Sequence, residues 1–519
     1  MKIMILSQLR NSDQRLCAIV AKQLLSYLTS LELWARRRSW LLPHWARSAA
    51  RRVLGRISEF TVKNYDDIKN WSAPLVVRES AAATAEMREL PTAGASPPTP
   101  PDITCHHLAL DNRRGASGPR LRCLIVTPFL NSGGIDEFVS FLARHLSLLG
   151  LDTSVMCAAL SPEKRARVGF LASELRREGI LVSEALPEDG REWLARNRPD
   201  VISAHAPPEW VLEAADALRI PVVETLHEVP TPIGTDWDKE PARSRYITTM
   251  VAVSELVRRQ YLRGNPGFNG AGIVTIPNAF NEASRPPVDR AKARAWLGLE
   301  HEFLFISLAH YRLQKNTYGL VAAFADVARA NPDAHLLIAG RVVERTVAEQ
   351  VRRLRDRLPE RERIHLRENL PNPSALLAAA DGFVLNSFFE GWPLASMEAL
   401  SAGLPVIMSD VGGAREQVGL DGTCGYVVPN PLGDPETVSW EAARRERFRP
   451  QANKIALVAA MTSVIRDRER WASARPDLVV ASKQRFSSRT CAEQHAKVLR
   501  RAALGMVQQD VEEVVQGGR

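Results

Sequence analysis

The chain has 519 residues, 45% of them hydrophobic and 24% charged. That is ordinary globular usage, and it excludes a fibrous or wholly disordered chain. At roughly 100–200 residues per domain there is room for about three units. The formal net charge of +9 is concentrated: residues 1–60 carry 11 Lys/Arg against 3 Asp/Glu, and the rest carries 57 against 56. The basicity therefore belongs to the N-terminus, and no nucleic-acid partner is expected for the main body.

The most apolar N-terminal run, Leu16 to Trp34, is broken by Lys22, Gln23 and Glu32, so no membrane-spanning helix is expected. The apolar stretch Ile3–Leu6 is too short for the core of a cleavable signal. Cys17, Cys105, Cys123, Cys157, Cys424 and Cys491 form no CxxC pair and no zinc-finger spacing with histidines. Reduced, buried thiols, no metal site and a cytoplasmic location are the expectation.

In chain order, Leu16, Ile19, Val20, Leu24, Tyr27, Leu28, Leu31 and Trp34 recur at helical spacing, and 45–57 repeats the pattern. Residues 1–78 thus read as a basic helical extension. Arginines 36–38, 47, 51, 52 and 56 beside Trp34, Trp40 and Trp45 suit a helix lying on an anionic membrane surface. A helical hairpin packed on the main body with solvated arginines is an equal reading. Residues 79–119, with the Pro-rich run from Pro91 to Pro101, read as a linker. His106 and His107 there lack carboxylate or thiol companions.

From Leu121 the pattern becomes strand, glycine turn, helix. Arg122–Thr127 reads as a buried strand, Gly133-Gly134 as the turn, and Phe138–Leu149 as a helix. Strands follow at 200–205, 220–227, 250–254 and 272–277, with a helix over 210–218. After a connection near 278–300 the alternation restarts, with strands at 303–307, 334–340, 382–386 and 405–409 and a helix over 318–330. Alternation of this kind predicts an α/β protein with two doubly wound parallel sheets, over 120–285 and 286–490, and a C-terminal helix and tail over 491–519. Ligands of such sheets bind beyond the C-terminal ends of the strands, which places the site in a central cleft between the two.

The densest chemistry lies in Asn386–Val406. A strand ends, a loop carries Glu390 and Gly391, and a helix begins near Pro393, whose ring suits a first turn. A helix N-terminus attracts phosphate through its unpaired N–H groups. Gly391 permits close approach of a ligand to the backbone. Glu398 offers two acceptors to a vicinal diol such as a ribose.

This segment resembles the E-x7-E signature of retaining GT-B glycosyltransferases, in particular glycosyltransferase family 4. The resemblance extends to 410–416 and 425–429, and N-terminally to 132–134, His205, His227, 253–254 and 276–278, covering about 121–499. It implies two Rossmann-like domains, the first carrying the acceptor and the second a nucleotide-diphospho-sugar donor. By the same resemblance Glu398 holds the donor ribose, while Glu390 and the backbone from Gly391 through Trp392 and Pro393 to Leu394 hold the donor sugar. Lys315 binds the diphosphate, where a fixed cation stabilises charge on the leaving group. His227, and less directly His205, face the reaction centre. Gly133, Gly134 and Gly413 line the cleft. Arg415 and Glu416, beyond that glycine turn, read either as an exposed helix start or as donor contacts.

Two departures stand out. An arginine usually accompanies the lysine; here His310 occupies its place and Arg312 follows two residues later, so either can complete the clamp. Asn278 is followed by Ala279 where the family has glycine. The resemblance implies transfer with retention and no divalent ion, since no DxD motif stands in a suitable loop. The expected partners are a nucleotide-sugar donor and a glycan or lipid-linked acceptor, with synthesis of a cell-envelope polysaccharide at the inner membrane face as the setting. The nucleotide sugar is a co-substrate; no cofactor is expected. An inactive GT-B scaffold and a nucleotide-sugar epimerase or hydrolase are the competing readings.

Overall fold

The computed structural model describes residues 120–131, 133–279, 288–368 and 373–505. All lie in the second of the chain's two units, Ala116–Arg519. The readings of 1–78 as a basic extension and 79–119 as a linker fall outside the described residues, as does the tail beyond 505.

The first half contains β1 (Arg122–Thr127), β2 (Phe129–Leu130), α1 (Gly134–Leu148), β3 (Asp152–Ala158), β4 (Arg167–Val168), α2 (Phe170–Arg177), β5 (Leu181–Ala185), α3 (Pro187–Asn197), β6 (Val201–His205), α4 (Glu209–Ala217), β7 (Val222–Leu226), α5 (Glu240–Arg243), β8 (Thr249–Ala252), α6 (Glu255–Gly264) and β9 (Ile273–Thr275). Its parallel sheet runs β5-β3-β1-β6-β7-β8-β9, and β2 pairs separately with β4.

The second half contains α7 (Arg290–Trp296), β10 (Phe303–Leu308), α8 (Thr317–Ala330), β11 (Ala334–Ala339), α9 (Arg345–Asp356), β12 (Ile364–Arg367), α10 (Pro373–Ala379), β13 (Gly382–Leu385), α11 (Leu394–Ser401), β14 (Val406–Ser409), α12 (Ala414–Val418), β15 (Gly425–Val428), α13 (Trp440–Glu446), α14 (Lys454–Arg466), α15 (Arg468–Arg485) and α16 (Ser488–Ala503). Its parallel sheet runs β12-β11-β10-β13-β14-β15. Two Rossmann-like sheets in one α/β chain give the expected GT-B architecture.

Central strands are covered by helices on both faces, so they read as unbroken apolar runs such as Cys123–Val126 and Phe303–Ile306, all buried. Strands β3, β5 and β12 escape that criterion. Residues Asp152, Thr153 and Ser154 open β3, while β5 and β12 are edge strands whose polar residues stay partly exposed. Helix α1 begins at Gly134, four residues before its first core aromatic, Phe138.

Helix α16 leaves the second half and packs on the first. Cys491, Ala492, Ala496, Leu499 and Ala502 share a core with Phe138, Phe141, Leu142 and Leu146 of α1. The spacing of those apolar positions makes one helical stripe, and Ser487 Oγ caps the start by accepting from the Thr490 N–H at 3.2 Å. Among the described residues no helix is long and apolar enough to cross a membrane.

The C-terminal ends of the two sheets face each other. A Cβ built on Gly134, at the start of α1, would lie 3.5 Å from Leu394 Cδ1, at the start of α11. Gly391, after β13, packs on the backbone of His227 and Glu228, after β7. Further out, Glu416 Oε1 accepts from the Glu255 N–H at 2.7 Å, and Arg259 Nε donates to Glu436 Oε1 at 2.8 Å.

Candidate active site

The loop after β13 and the loop after β10 build the centre of the cleft. Asn316 adopts the left-handed conformation, with φ 48°, and its side chain caps α8 by accepting from the Gly319 N–H. Its amide also donates to the Asn386 carbonyl at 2.9 Å, which ties the two loops together. The tie aims Lys315 at Glu390: Nζ donates to Oε1 at 2.7 Å. Ser387 Oγ donates to the same oxygen at 2.6 Å. The Glu390 side chain is only 5% exposed and that of Lys315 19%, so this pair is screened far less than a surface ion pair.

Glu228 faces this pair from the first half. Gln314 Nε2 lies 3.4 Å from both Glu228 Oε2 and Glu390 Oε2 and bridges them. Burial, with the Glu390 charge opposite, pushes the Glu228 carboxyl well above the ordinary carboxylate range, although Lys315, Arg312 and the Gly391 N–H oppose the shift. Two groups able to bind an anion, the Gly391 N–H and the Lys315 ammonium, are therefore each engaged by a carboxylate of the protein itself.

His310 and Arg312 take different parts. His310 Nδ1 accepts from the Arg341 N–H at 3.2 Å. Burial first, then the charges of Arg341, Lys315 and Arg312, push its pKa down to about 4, so the ring is neutral at pH 7. Arg312 Nε is buried without a hydrogen-bond partner among the described residues. Beside Lys315 and Glu228, that guanidinium supplies the charge His310 does not.

The glycines fit closely. Gly413 N–H donates to the Gly391 carbonyl at 3.0 Å, and a Cβ on Gly413 would collide with the Trp392 ring. Trp392, 6% exposed, turns inward: its Nε1–H points at Met397 Sδ, 2.9 Å away, and its ring meets Phe486 edge-on. Its side chain is core, which leaves only its backbone to the cleft. Pro393 caps α11, and its carbonyl accepts from Ser396 Oγ at 2.9 Å and Gln417 Nε2 at 3.1 Å. Leu394 and Glu398 are half-buried on that helix. Gly133 precedes α1 in an extended conformation. Ser132 lies outside the described residues.

Arg415 is held in a two-point ion pair with Asp410, and Glu416 caps α6 across the cleft.

His227 is half-buried at the rim. His205, fully buried, lies one step behind it, with Nδ1 at 2.8 Å from His227 Nε2 and Nε2 at 3.1 Å from Ser203 Oγ. Both nitrogens of His205 are engaged, so it reaches a ligand only through His227. Burial is the main reason all the rings here stay neutral: His227 is pushed down to about 3 and His495, from α16, to about 4. The sequence reading passed over Ser203, Glu228 and His495. Ser203 and His205 alternate on an otherwise apolar strand, and that spacing was the available signal.

Among the described residues no cluster of three or more His, Cys, Asp or Glu is placed to hold a metal ion.

Comparison with known proteins bears on both halves. Residues 289–470 match the family model described as "Glycosyl transferases group 1", and residues 132–284 the one described as "Glycosyltransferase Family 4". The chain is 27% identical over 249 residues to glycogen synthase of Mycobacterium tuberculosis, covering 44% of this chain and 55% of that protein. It is 26% identical over 324 residues to D-inositol 3-phosphate glycosyltransferase of Corynebacterium glutamicum, covering 54% of this chain and 77% of that protein. The chain thus spans about half the length of the first of these relatives. In structure it resembles Anabaena Alr3699/HepE in complex with UDP-glucose, with a TM-score of 0.59 at 17% identity, covering 73% of this chain and 100% of that one. Its homologues are glycosyltransferases, and its architecture is that of GT-B glycosyltransferases.

Proposed function

We propose that the chain is a retaining glycosyltransferase that moves a sugar from a nucleotide-diphospho-sugar to a glycan or lipid-linked acceptor, in cell-envelope polysaccharide synthesis and without a divalent ion. The carrying observation is the Lys315–Glu390 pair, 2.7 Å long, buried where the two sheets converge and flanked by Arg312 and the Gly391 N–H. The relative crystallised with UDP-glucose supports a nucleotide-sugar donor.

In this reading the bond from the anomeric carbon to the diphosphate breaks, and the bond to the acceptor oxygen forms on the same face. The acceptor's proton passes to the departing phosphate. Lys315 and Arg312 stand ready beside that position to stabilise the charge that builds there. Glu390 and Glu398 orient the donor sugar and ribose. The basic residues 1–60 provide a route to an anionic membrane surface.

The test is calorimetric binding of UDP, GDP, ADP and their sugar conjugates, with Glu398→Ala as control, followed by transfer assays in excess chelator. Tight binding of one nucleotide, lost in the variant, with transfer that survives the chelator, is the expected result. Release of free sugar or of an isomer without acceptor would turn the reading to a hydrolase or epimerase. No binding by any nucleotide would leave a scaffold.

A further inference from the structure

The polar chain behind His227 carries more than packing. Ser203 and His205 occupy alternate positions of β6, and His227 follows β7 in register with them: His205 pairs with Thr225, two residues before His227. Alternation puts all of these side chains on one face of the sheet. That face is otherwise sealed by Phe138 of α1, whose ring meets His205 and His227 edge-on with centroids 6.0 and 5.4 Å away, and by His495 of α16. A buried run of hydrogen-bonded polar groups inside such a core is costly unless every proton in it has an acceptor.

Two proton orders are conceivable. With the Ser203 hydroxyl donating to His205 Nε2, His205 carries its proton on Nδ1 and donates to His227 Nε2. His227 must then carry its own proton on Nδ1. The reverse order makes Ser203 an acceptor and requires a second acceptor for its hydroxyl hydrogen in a dry site. An unmatched buried donor costs about 1–3 kcal/mol, so the first order wins.

We propose that Ser203 and His205 are positioning residues that lock His227 as its Nδ1–H tautomer, making the cleft histidine a neutral hydrogen-bond donor to a sugar or acceptor oxygen. The inference rests on the glycosyltransferase reading for its consequence, though not for the tautomer itself. A neutral donor suits this place. It orients a hydroxyl without adding charge beside Lys315 and Arg312, and it offers no base that would activate water against the donor.

The test uses the full chain labelled with 15N-histidine, with the His227 signals assigned by their loss in His227→Asn. Wild-type protein is expected to show a protonated Nδ1 and a bare Nε2 on His227. Ser203→Ala, nearly neutral in volume, and His205→Leu should convert that ring to a mixture of tautomers. His205→Asn keeps an N–H near the position of Nδ1 and should preserve the wild-type signal. In transfer assays the first two should lower kcat about 10-fold while leaving donor KM and nucleotide affinity within about two-fold. His205→Asn should recover most of the loss. A bare Nδ1 in wild-type protein, or an unchanged tautomer in both Ser203→Ala and His205→Leu, would overturn the proposal. So would an unchanged kcat in folded variants whose tautomer has shifted. Failure of wild-type protein to transfer any sugar would defeat the functional reading alone, because the tautomer readout needs no substrate.

Discussion

A Cβ built on Gly391 would land on the carbonyl oxygen of His227 and come within 2.9 Å of Glu228 Cα. Both partners are backbone, so neither can swing aside as a flexible side chain would. Gly391→Ala is therefore expected to push the two halves of the cleft apart while each sheet keeps its own core. A displacement of about 1 Å at a reacting centre costs on the order of 100-fold in rate. We expect kcat/KM to fall by about that factor with a melting temperature close to wild type. An unchanged rate would show that the cleft does not need this approach.

Lys315 and Glu390 do not tolerate loss equally. Lys315→Ala leaves the Glu390 carboxylate buried beside Glu228 with its main positive partner gone. Removing one member of a buried pair costs about 3–5 kcal/mol, reduced here because the lysine is partly solvated. Glu390→Gln keeps an acceptor for Ser387 and removes the charge, so its stability cost should be the smaller. Both should depress transfer, but only Lys315→Ala should also weaken nucleotide binding. Melting curves and calorimetry on the two variants check the asymmetry.

Glu228 is expected to make donor affinity depend on pH. Its pKa is raised, so the carboxyl is protonated on the acid side and ionises as pH rises, next to groups that bind an anion. Affinity for a nucleotide-sugar, whose diphosphate diester does not titrate in this window, should rise as pH falls from 8 to 6. Glu228→Gln should bind about 3- to 10-fold tighter at pH 8 and lose the dependence. Parallel pH profiles in both proteins would rule the mechanism out.

The division of labour between His310 and Arg312 is equally measurable. His310 is neutral at pH 7 and accepts from the Arg341 N–H. His310→Gln retains an acceptor and should change nucleotide affinity by less than about two-fold. Arg312→Ala removes a charge-assisted donor and should lower kcat about 100-fold. The opposite ranking would mean that the arginine of the clamp is replaced by the imidazole after all.

The sheets were legible where a strand reads as one unbroken apolar run, as in Cys123–Val126 and Phe303–Ile306, whereas interior strand β3 was missed because Asp152, Thr153 and Ser154 open it. Edge strands β5 and β12 were not, because a half-exposed strand keeps polar residues such as Glu184 and His365. The placement of Glu390, Gly391 and Glu398 was legible, because a strand end, a loop and a helix start could be read from their segment and the resemblance singled them out. Glu228 was not. It acquires its role only when the halves meet and Glu390 comes opposite. His495 belongs to the C-terminal helix read over 491–519, but that reading does not say which sheet the helix will cover. For Trp392 only the backbone was read into the cleft, and the structure adds that its ring turns into the core.

The buried imidazoles set the acid limit of the fold. His227 is pushed down to about 3, His495 to about 4 and His205 well below its ordinary value of 6.5, chiefly by burial. Each ring ionises freely in the unfolded chain near 6.5 and stays neutral in the folded one. The unfolded state therefore binds more protons between those limits, and stability falls as pH drops through that window. The His495 ring costs about 2 kcal/mol at pH 5 on this linkage. Glu228 works the other way, since its raised pKa makes the folded state the better proton binder above its ordinary value of 4.5. One carboxyl does not offset several rings. We expect the free energy of unfolding to be steady above pH 7 and to fall steeply from pH 6.5 towards 4. His495→Gln, which removes an ionisable ring away from the cleft rim, should flatten that slope by about one proton's worth. A slope unchanged in His495→Gln would show that this ring does not stay neutral on folding.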